Sequence, residues 1–346
     1  MFEVNKVKIG QQFKPYIIAE LSANHGGDIR RAKDSILVAK KSGVDAVKIQ
    51  TYTPDTMTID SNKVDFIIND GLWKGYNLYQ LYKEAYTPYE WHKDLFEFAR
   101  KIKLTIFSTP FDESAVDLLE ELNTPAYKIA SFEITDLPLI KYTAQKLKPM
   151  FISTGMSNAD EIADAVETCL KVGNKDILLF HCISNYPAEL TDSNLGDIKY
   201  LANHFGVEVG LSDHTTSNMA AILSVALGAR AIEKHFKLDN DDCGPDSTFS
   251  ILPNQLEDLC KESELAFKAT ISNNLKRPLS ENINKKFRRS IYFVNDLKKG
   301  DILRKNDIRR IRPGFGLDPK FFDELIGKTL RSDVFRGDPV SWNVLN

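Results

Sequence analysis

Two lysines stand inside otherwise apolar runs of this sequence, Lys48 in AVKIQ and Lys128 in YKIAS. An ammonium group is costly to bury unless it faces an anion. With hydroxyl donors at Ser131, Ser153 and Thr154, the two lysines read as a cradle for phosphate and carboxylate. Two other readings stay open: each lysine is paired with a buried carboxylate for stability, or one is a desolvated Schiff-base nucleophile of the class I aldolase type. Two histidines, His214 in SDHT and His235 in EKHF, form a second candidate pair. Imidazoles with water and substrate oxygens suit a divalent cation acting as a Lewis acid. With only two protein ligands the cation would be weakly held and exchangeable, unlike a closed structural zinc. His181 is expected within the same site and His25 is a further candidate, whereas His92 and His204 are expected on helix surfaces. Cys169, Cys182, Cys243 and Cys260 lack CxxC spacing and are expected to be inert core residues.

The elements that must position these groups follow from the pattern of apolar residues. Eight short runs rich in β-branched residues are expected as strands: 16–20, 44–50, 104–108, 126–130, 150–153, 177–181, 207–211 and 229–235. They are apolar on both faces, as parallel strands covered by helices are. Helix-period segments alternate with them. Asp28 and Asp112 precede helices, the stretch Ser157-Asn158-Ala159-Asp160-Glu161 leads into another with its acidic residues near the positive end of the helix dipole, Thr215 and Thr216 precede a further helix, and Pro88 and Pro253 open two more. Gly43, Gly173, Gly206 and Gly228 sit where left-handed helix caps belong. This alternation over residues 16–270 predicts an α/β fold of the (β/α)8 TIM-barrel type. A doubly wound sheet is the competitor, but no GxGxxG turn follows the first strand.

In such a barrel the chemistry sits at the C-terminal ends of the strands. Every one of the eight ends here is polar. In order they carry Glu20 with Ser22, Asn24 and His25; Lys48 and Gln50; Ser108 and Thr109; Lys128, Ser131 and Glu133; Ser153 and Thr154; His181, Asn185 and Tyr186; Ser212, Asp213 and His214; and Glu233, Lys234 and His235. Eight polar ends on one mouth signal a site without naming its reaction. The segment Thr51–Tyr86 is too long for a simple connection and carries Trp73, Tyr76, Tyr79, Tyr82 and Tyr86, so it is expected to shape that site or cover it.

The rest of the chain bounds the problem. The catalytic domain is expected at 1–270, with 1–15 as its N-terminal extension; a polar linker is expected at 271–286 and a small second domain, rich in short β-like pieces, at 287–346. The 346 residues hold 45 Lys+Arg against 48 Asp+Glu, a net charge of −3. That balance gives no electrostatic basis for nucleic-acid or anionic-membrane binding. No stretch reaches the roughly 18 apolar residues of a membrane span, since the most apolar one, 219–232, is broken by Ser224, Gly228 and Arg230. The first residues lack the apolar core of a signal peptide. Together with unpatterned cysteines, these features predict a cytoplasmic protein with reduced thiols.

The strings IAELSANHGG, AVKIQTY, STPF, YKIASFE, ISTGMS, HCISNYP, GLSDHT, EKHF, GPDS and RRIRPGFG fall in order along the chain. On these the sequence resembles the sialic acid synthase family, which condenses phosphoenolpyruvate with an amino-sugar aldehyde; the second domain looks like an antifreeze-type (β-clip, SAF-type) module. The resemblance implies a phosphoenolpyruvate site of Lys48, Thr109, Lys128, Ser131, Ser153, Asn185 and Ser212. It implies a metal, manganese with magnesium or cobalt as alternatives, on His214 and His235, which would be catalytic together with Glu20 and Glu133. The sugar would meet Gln50, Asn77, Glu133, Tyr186 and Asp246, with Glu20 nearby. Arg312 would reach the N-acyl group from the second domain of a partner subunit, implying a domain-swapped homodimer. Lys286-Phe287-Arg288 stands where the neuraminate branch has a sugar-contacting aromatic residue, so that contact is not carried over. GLWKGYNLYQLYKEAYTPYEW and IRPGFGLDPKFFDELIGK look most like the pseudaminate-forming branch, whose acceptor is 2,4-diacetamido-2,4,6-trideoxy-altrose. N-acetylmannosamine and the legionaminate precursor remain alternative acceptors. A Schiff-base aldolase is the competing enzyme class, and a carbohydrate- or ice-binding protein on an inactive barrel is the non-enzymatic alternative.

Overall fold

The computed structural model describes residues 1–239, 244–271 and 277–346. Cys243 and residues 272–276 of the expected linker therefore lie outside the described residues. The chain divides into two compact units, Met1–Ile271 and Ser272–Asn346.

The first unit is a closed barrel of eight parallel strands, β3 (Tyr16–Glu20), β4 (Ala46–Thr51), β5 (Thr105–Pro110), β6 (Tyr127–Ile129), β7 (Met150–Ser153), β8 (Ile177–Cys182), β9 (Glu208–Asp213) and β10 (Ala231–His235). Pairing runs in chain order, and β10 closes the ring on β3 with His235 opposite Glu20. Two short strands precede it, β1 (Phe2–Val4) and β2 (Val7–Ile9), which form an antiparallel hairpin.

Alternation along each strand sorts the side chains into two cores. Outward residues such as Ile17, Val47, Ile106, Ile152, Leu179 and Ile232 pack with the surrounding helices. Inward residues lower in the barrel, among them Tyr16, Ile18, Phe107, Phe151, Leu178 and Phe180, form a separate apolar cluster. Phe2, Val4 and Ile9 of the hairpin belong to that cluster, so the N-terminal extension plugs the bottom of the barrel. Phe107, Phe151 and Phe180 stack across the interior with ring centroids 5.4 and 5.7 Å apart. Gly210 makes room for them, since a Cβ there would strike the Phe180 ring and the Ala231 carbonyl. The inner ends of the strands are thus filled and dry, and only the upper layer is free to be polar.

The helix signals resolve in detail. Asp28 and Asp112 accept backbone hydrogen bonds at the starts of the helices Ile29–Ser42 and Glu113–Glu121, and Asn158 forms a reciprocal capping box with Glu161. Gly43, Gly206 and Gly228 end helices in the left-handed conformation. The helix after β9 departs from expectation. It starts at Met219 with Asn218 as an uncapped N-terminal residue, while Thr215 instead accepts from Lys234 and donates to Ser217.

The second unit has its own core of Ile291, Phe293, Leu303, Ile308, Leu325, Leu330, Val334, Val340 and Leu345. Its strands β11 (Ser290–Phe293) and β12 (Ile308–Ile311) pair antiparallel. Isolated bridges such as Leu297 with Val334 and Leu330 with Leu345 tie its remaining turns together.

Candidate active site

Strand parity decides which of the polar strand-end residues meet. Inward positions at the upper rim include Lys48, Gln50, Lys128, Ser153, Cys182, Ser212, Glu233 and His235, and all of these line one cavity of about 360 Å³. Residues one position away in sequence point the other way. Lys234 is fully buried behind the barrel wall, where its Nζ meets Asp213 Oδ2 at 2.6 Å and the Thr215 carbonyl at 2.7 Å. Ser108 likewise turns outward and bonds Thr51, which in turn bonds His92 Nε2 at 2.8 Å. His92 is therefore buried in a hydrogen-bonded chain and not on a helix surface as its sequence position suggests.

The floor of the cavity is ionic. Lys48 Nζ lies 2.7 Å from Glu20 Oε2, 3.8 Å from Glu233 Oε2, and donates to Thr109 Oγ1 at 2.9 Å. Lys128 Nζ donates to Glu233 Oε1 at 2.9 Å, and Ser212 Oγ donates to the same oxygen at 3.1 Å. Both expected features of the lysines are thus present at once: each is paired with a buried carboxylate and each faces the cavity. Burial opposes the charge on Lys48, but Glu20 and Glu233 outweigh it and its pKa is raised. Burial, helped by the charge of Lys48, lowers Lys128. Glu233 is held well below the usual carboxylate range, because Lys128 and Lys48 overcome its burial. Glu20 is raised, by burial above all. Its Oε1 also accepts from Ser22 N at 3.0 Å and from Gln50 Nε2 at 3.4 Å.

The two imidazoles sit on the adjacent strands β9 and β10 with ring centroids 5.4 Å apart. His214 Nδ1 is 3.0 Å from the Ile183 carbonyl, a contact that makes it the N–H and leaves Nε2 as the lone-pair nitrogen. His235 Nδ1 is buried without a hydrogen-bond partner among the described residues. Its pKa lies well below the ordinary value, through burial and the nearby positive charges, so the ring is neutral. Burial opposes the charge on His214, but Cys182 and the Ile183 carbonyl outweigh it and its pKa is raised. Once both rings are deprotonated, their lone pairs fit a divalent cation of intermediate softness. Among the described residues no group of three or more His, Cys, Asp or Glu could hold one. Asp246 Oδ2 stays 3.9 Å from His235 Nδ1 and accepts from Ser22 Oγ.

Glu133 lines the cavity from a short 3-10 turn, Ser131–Glu133, after β6. Burial and the neighbouring Asp136 push its carboxyl up to about 7, and its Oε2 has no partner among the described residues. Ser153 Oγ is also buried without a partner there. The Tyr186 ring lies tilted against His214 and Phe249, with centroids 4.4 and 5.2 Å away.

Above the floor stands an apolar wall contributed by the segment 51–86. The helix Leu78–Ala85 turns Leu78, Leu81, Tyr82 and Ala85 to the cavity, and Met57, Ile68 and Trp73 extend that surface. Trp73 Nε1 donates to the Pro245 carbonyl at 3.2 Å and its ring lies 5.8 Å from Tyr186. Tyr76, Tyr79 and Tyr86 do not line the cavity.

Five expected site residues stand elsewhere. Thr109 and Glu20 act through Lys48, just behind the lining. Asn77 caps the helix Leu78–Ala85: its Oδ1 accepts from Tyr79 N at 2.9 Å and its Nδ2 donates to the Ser61 carbonyl at 2.7 Å, so its amide is spent on the loop. Asn185 is exposed and bonds the Tyr186 backbone. Arg312 belongs to the second unit, where it lines an exposed groove with Arg289, Lys305, Arg309 and Arg310. His181 is buried against the Ser193 carbonyl and His25 against Thr87 and Trp91, both outside the lining.

Two cavity residues were underrated by the sequence. Cys182 is not inert core. It faces the cavity 3.8 Å from His214 Nδ1, and His214, Ser131 and Lys128 overcome its burial to bring the thiol down to about 7. Glu233 was visible only as one polar strand end among many. Its parity with His235, two positions on, is the signal that puts it at the centre of the floor.

A profile of the NeuB family matches residues 35–274, and one of the SAF domain matches residues 288–346. The chain is 45% identical to pseudaminic acid synthase of Helicobacter pylori over 332 residues, covering 94% of this chain and 96% of that protein. Identity to pseudaminic acid synthase of Campylobacter jejuni is 43% over 330 residues, covering 94% and 95%. Among solved structures, N-acetylneuraminic acid synthetase of Leptospira borgpetersenii, in complex with citrate, superposes with a TM-score of 0.74 at 30% identity, covering 82% of this chain and 94% of that one.

Proposed function

Because this chain belongs to the NeuB family, we propose that it is the transferase that condenses phosphoenolpyruvate with 2,4-diacetamido-2,4,6-trideoxy-altrose, giving pseudaminic acid and inorganic phosphate by C–O cleavage. The observation that carries the reading is the meeting of two ammonium groups and two imidazoles on one cavity in a chain this similar to pseudaminic acid synthases.

Lys48 and Lys128 hold the anionic phosphate and carboxylate of phosphoenolpyruvate, with Ser131, Ser153 and Ser212 as hydroxyl donors at the same layer. Lys48 pairs with Glu20 and Lys128 with Glu233, and the raised pKa of Lys48 suits anion binding. A divalent cation on His214 and His235, most suitably manganese, would supply Lewis-acid polarisation of the acceptor's carbonyl. C3 of phosphoenolpyruvate forms the new bond to C1 of the open-chain sugar, and Glu133, its carboxyl raised to about 7, gives its proton to the carbonyl oxygen as that oxygen becomes a hydroxyl. Water adds at the C2 cation, and cleavage of the C2–O bond releases phosphate and leaves the 2-keto acid. Tyr186, Asp246 and Gln50, all in the cavity lining, would meet the sugar's polar groups.

The reading extends to a domain-swapped homodimer in which Arg312 meets the acceptor of the partner's site. It is supported by the charges of the two units: residues 1–271 carry 28 Lys+Arg against 39 Asp+Glu, while 272–346 carry 17 against 9. Unlike charges steer such surfaces together. Arg312→Ala should then raise the acceptor KM. A cytoplasmic location is supported by free thiols at Cys169, Cys182 and Cys260. No helix among the described residues is long and apolar enough to cross a membrane.

Phosphate release measured with three acceptors, the altrose derivative, N-acetylmannosamine and the diacetamido-mannose precursor of legionaminate, tests the reading. The altrose derivative should give the highest kcat/KM, and EDTA should silence it. Preference for either other acceptor overturns the assignment, and full activity in EDTA removes the cation.

A further inference from the structure

The cavity has two chemically opposite sides, and the proposed reaction fixes which end of the acceptor meets each. C1 must lie at the floor, beside His214, His235 and the bound phosphoenolpyruvate. The far end of the open chain, C6, then projects away from the ionic groups. The surface that the segment 51–86 offers there is mainly aliphatic, with the rings of Tyr52 and Tyr82 beside it. Leu78, Leu81 and Ala85 occupy positions i, i+3 and i+7 of one helix and so form one continuous stripe. Met57 and Ile68 adjoin that stripe. None of these five side chains has an oxygen or nitrogen. The indole N–H of Trp73, at the rim, is already donated to the Pro245 carbonyl.

Resting on the function proposed above, we propose that this aliphatic wall is the element that selects the acceptor: it receives the C6 methyl group and discriminates against a sugar bearing a 6-hydroxyl. A methyl group buries apolar surface against Leu78, Leu81 and Ile68. A hydroxyl in the same place loses its water and finds no partner on those side chains. An apolar pocket rejects an added hydroxyl by about 10²-fold in kcat/KM. Phosphoenolpyruvate, held on the other side, is indifferent to the wall.

The test compares 2,4-diacetamido-2,4,6-trideoxy-altrose with its 6-hydroxy counterpart by phosphate release, in the wild type and in Leu81→Ser. The wild type is expected to favour the deoxy sugar by about 10²-fold. In Leu81→Ser that ratio should fall at least tenfold, with the phosphoenolpyruvate KM unchanged. Leu81 is buried, so Leu78→Ser, at a half-buried position in the first helical turn, supplies the same readout should the first variant fail to fold. A wild type that turns over both sugars equally, or variants whose ratio equals that of the wild type, overturns the inference and leaves the proposed reaction standing. A wild type that releases no phosphate with the deoxy sugar overturns the proposed reaction and the inference with it.

Discussion

The floor and the wall of the cavity are built by different parts of the chain and by different physics. The floor comes from the ends of β3, β4, β6, β8, β9 and β10, where register fixes each side chain to within the tolerance of the barrel itself. Its lysines and carboxylates are buried and paired with one another, so each depends on its neighbours. The wall comes from one segment, 51–86, inserted between a strand and its helix, and is held by a cap at Asn77, a bridge between Ile67 and Asn77, and one indole hydrogen bond. A scaffold arranged this way can keep one reaction and change its acceptor, because the wall can be altered without disturbing a single charge on the floor.

The largest effect should come from breaking the floor. Lys128→Met leaves Glu233 buried with only the more distant Lys48 to oppose its charge, and removing one partner of a buried pair costs about 3–5 kcal/mol of stability. Urea denaturation should read that loss. Adding Glu233→Gln should restore most of it without restoring phosphate release. Next is Glu133→Gln. With its carboxyl raised to about 7, the wild-type residue is the protonated donor below that pH and loses its proton above it. The acceptor kcat/KM at saturating phosphoenolpyruvate should therefore fall as pH rises through about 7. In Glu133→Gln that limb should vanish and the rate drop by about 10²-fold or more. A profile of Glu133→Gln that keeps the wild-type limb would move the proton donor elsewhere. The smallest effect belongs to the wall's anchor. Trp73→Phe removes one hydrogen bond to the Pro245 carbonyl, a loss of about 0.5–1.5 kcal/mol. It should raise the acceptor KM by a few fold and leave the phosphoenolpyruvate KM alone. An equal rise in both would mean that floor and wall are not separable.

The floor was more legible in the sequence than the wall, and the reason is periodicity. A strand end has two faces, so a list of polar residues near it mixes ligands with structural groups until parity is applied. Lys48 and Lys128 stood out because their neighbours are apolar, whereas Glu233, Lys234 and His235 are consecutive polar residues of which only the first and third face inward. His92 looked exposed because helix position alone does not reveal Thr51 waiting behind it. In the segment 51–86 the aromatic residues caught attention, yet only Trp73 and Tyr82 of the five reach the cavity. The helix Leu78–Ala85 is what turns three aliphatic residues inward, and eight residues between loops give too short a period to read. Asn77 shows the same limit: an amide in a family-like position can be used as a helix cap. The barrel itself was easy to see, since eight strands and their helix caps repeat the same pattern.

The account stands or falls on which bond of phosphoenolpyruvate breaks over the ionic floor. Phosphoenolpyruvate labelled with oxygen-18 at the bridging position, turned over with the altrose acceptor and analysed by mass spectrometry, answers that directly. The label is predicted to leave in inorganic phosphate while the keto oxygen of the sugar acid comes from solvent. Label kept in the sugar acid would mean P–O cleavage and would contradict the mechanism derived for this site.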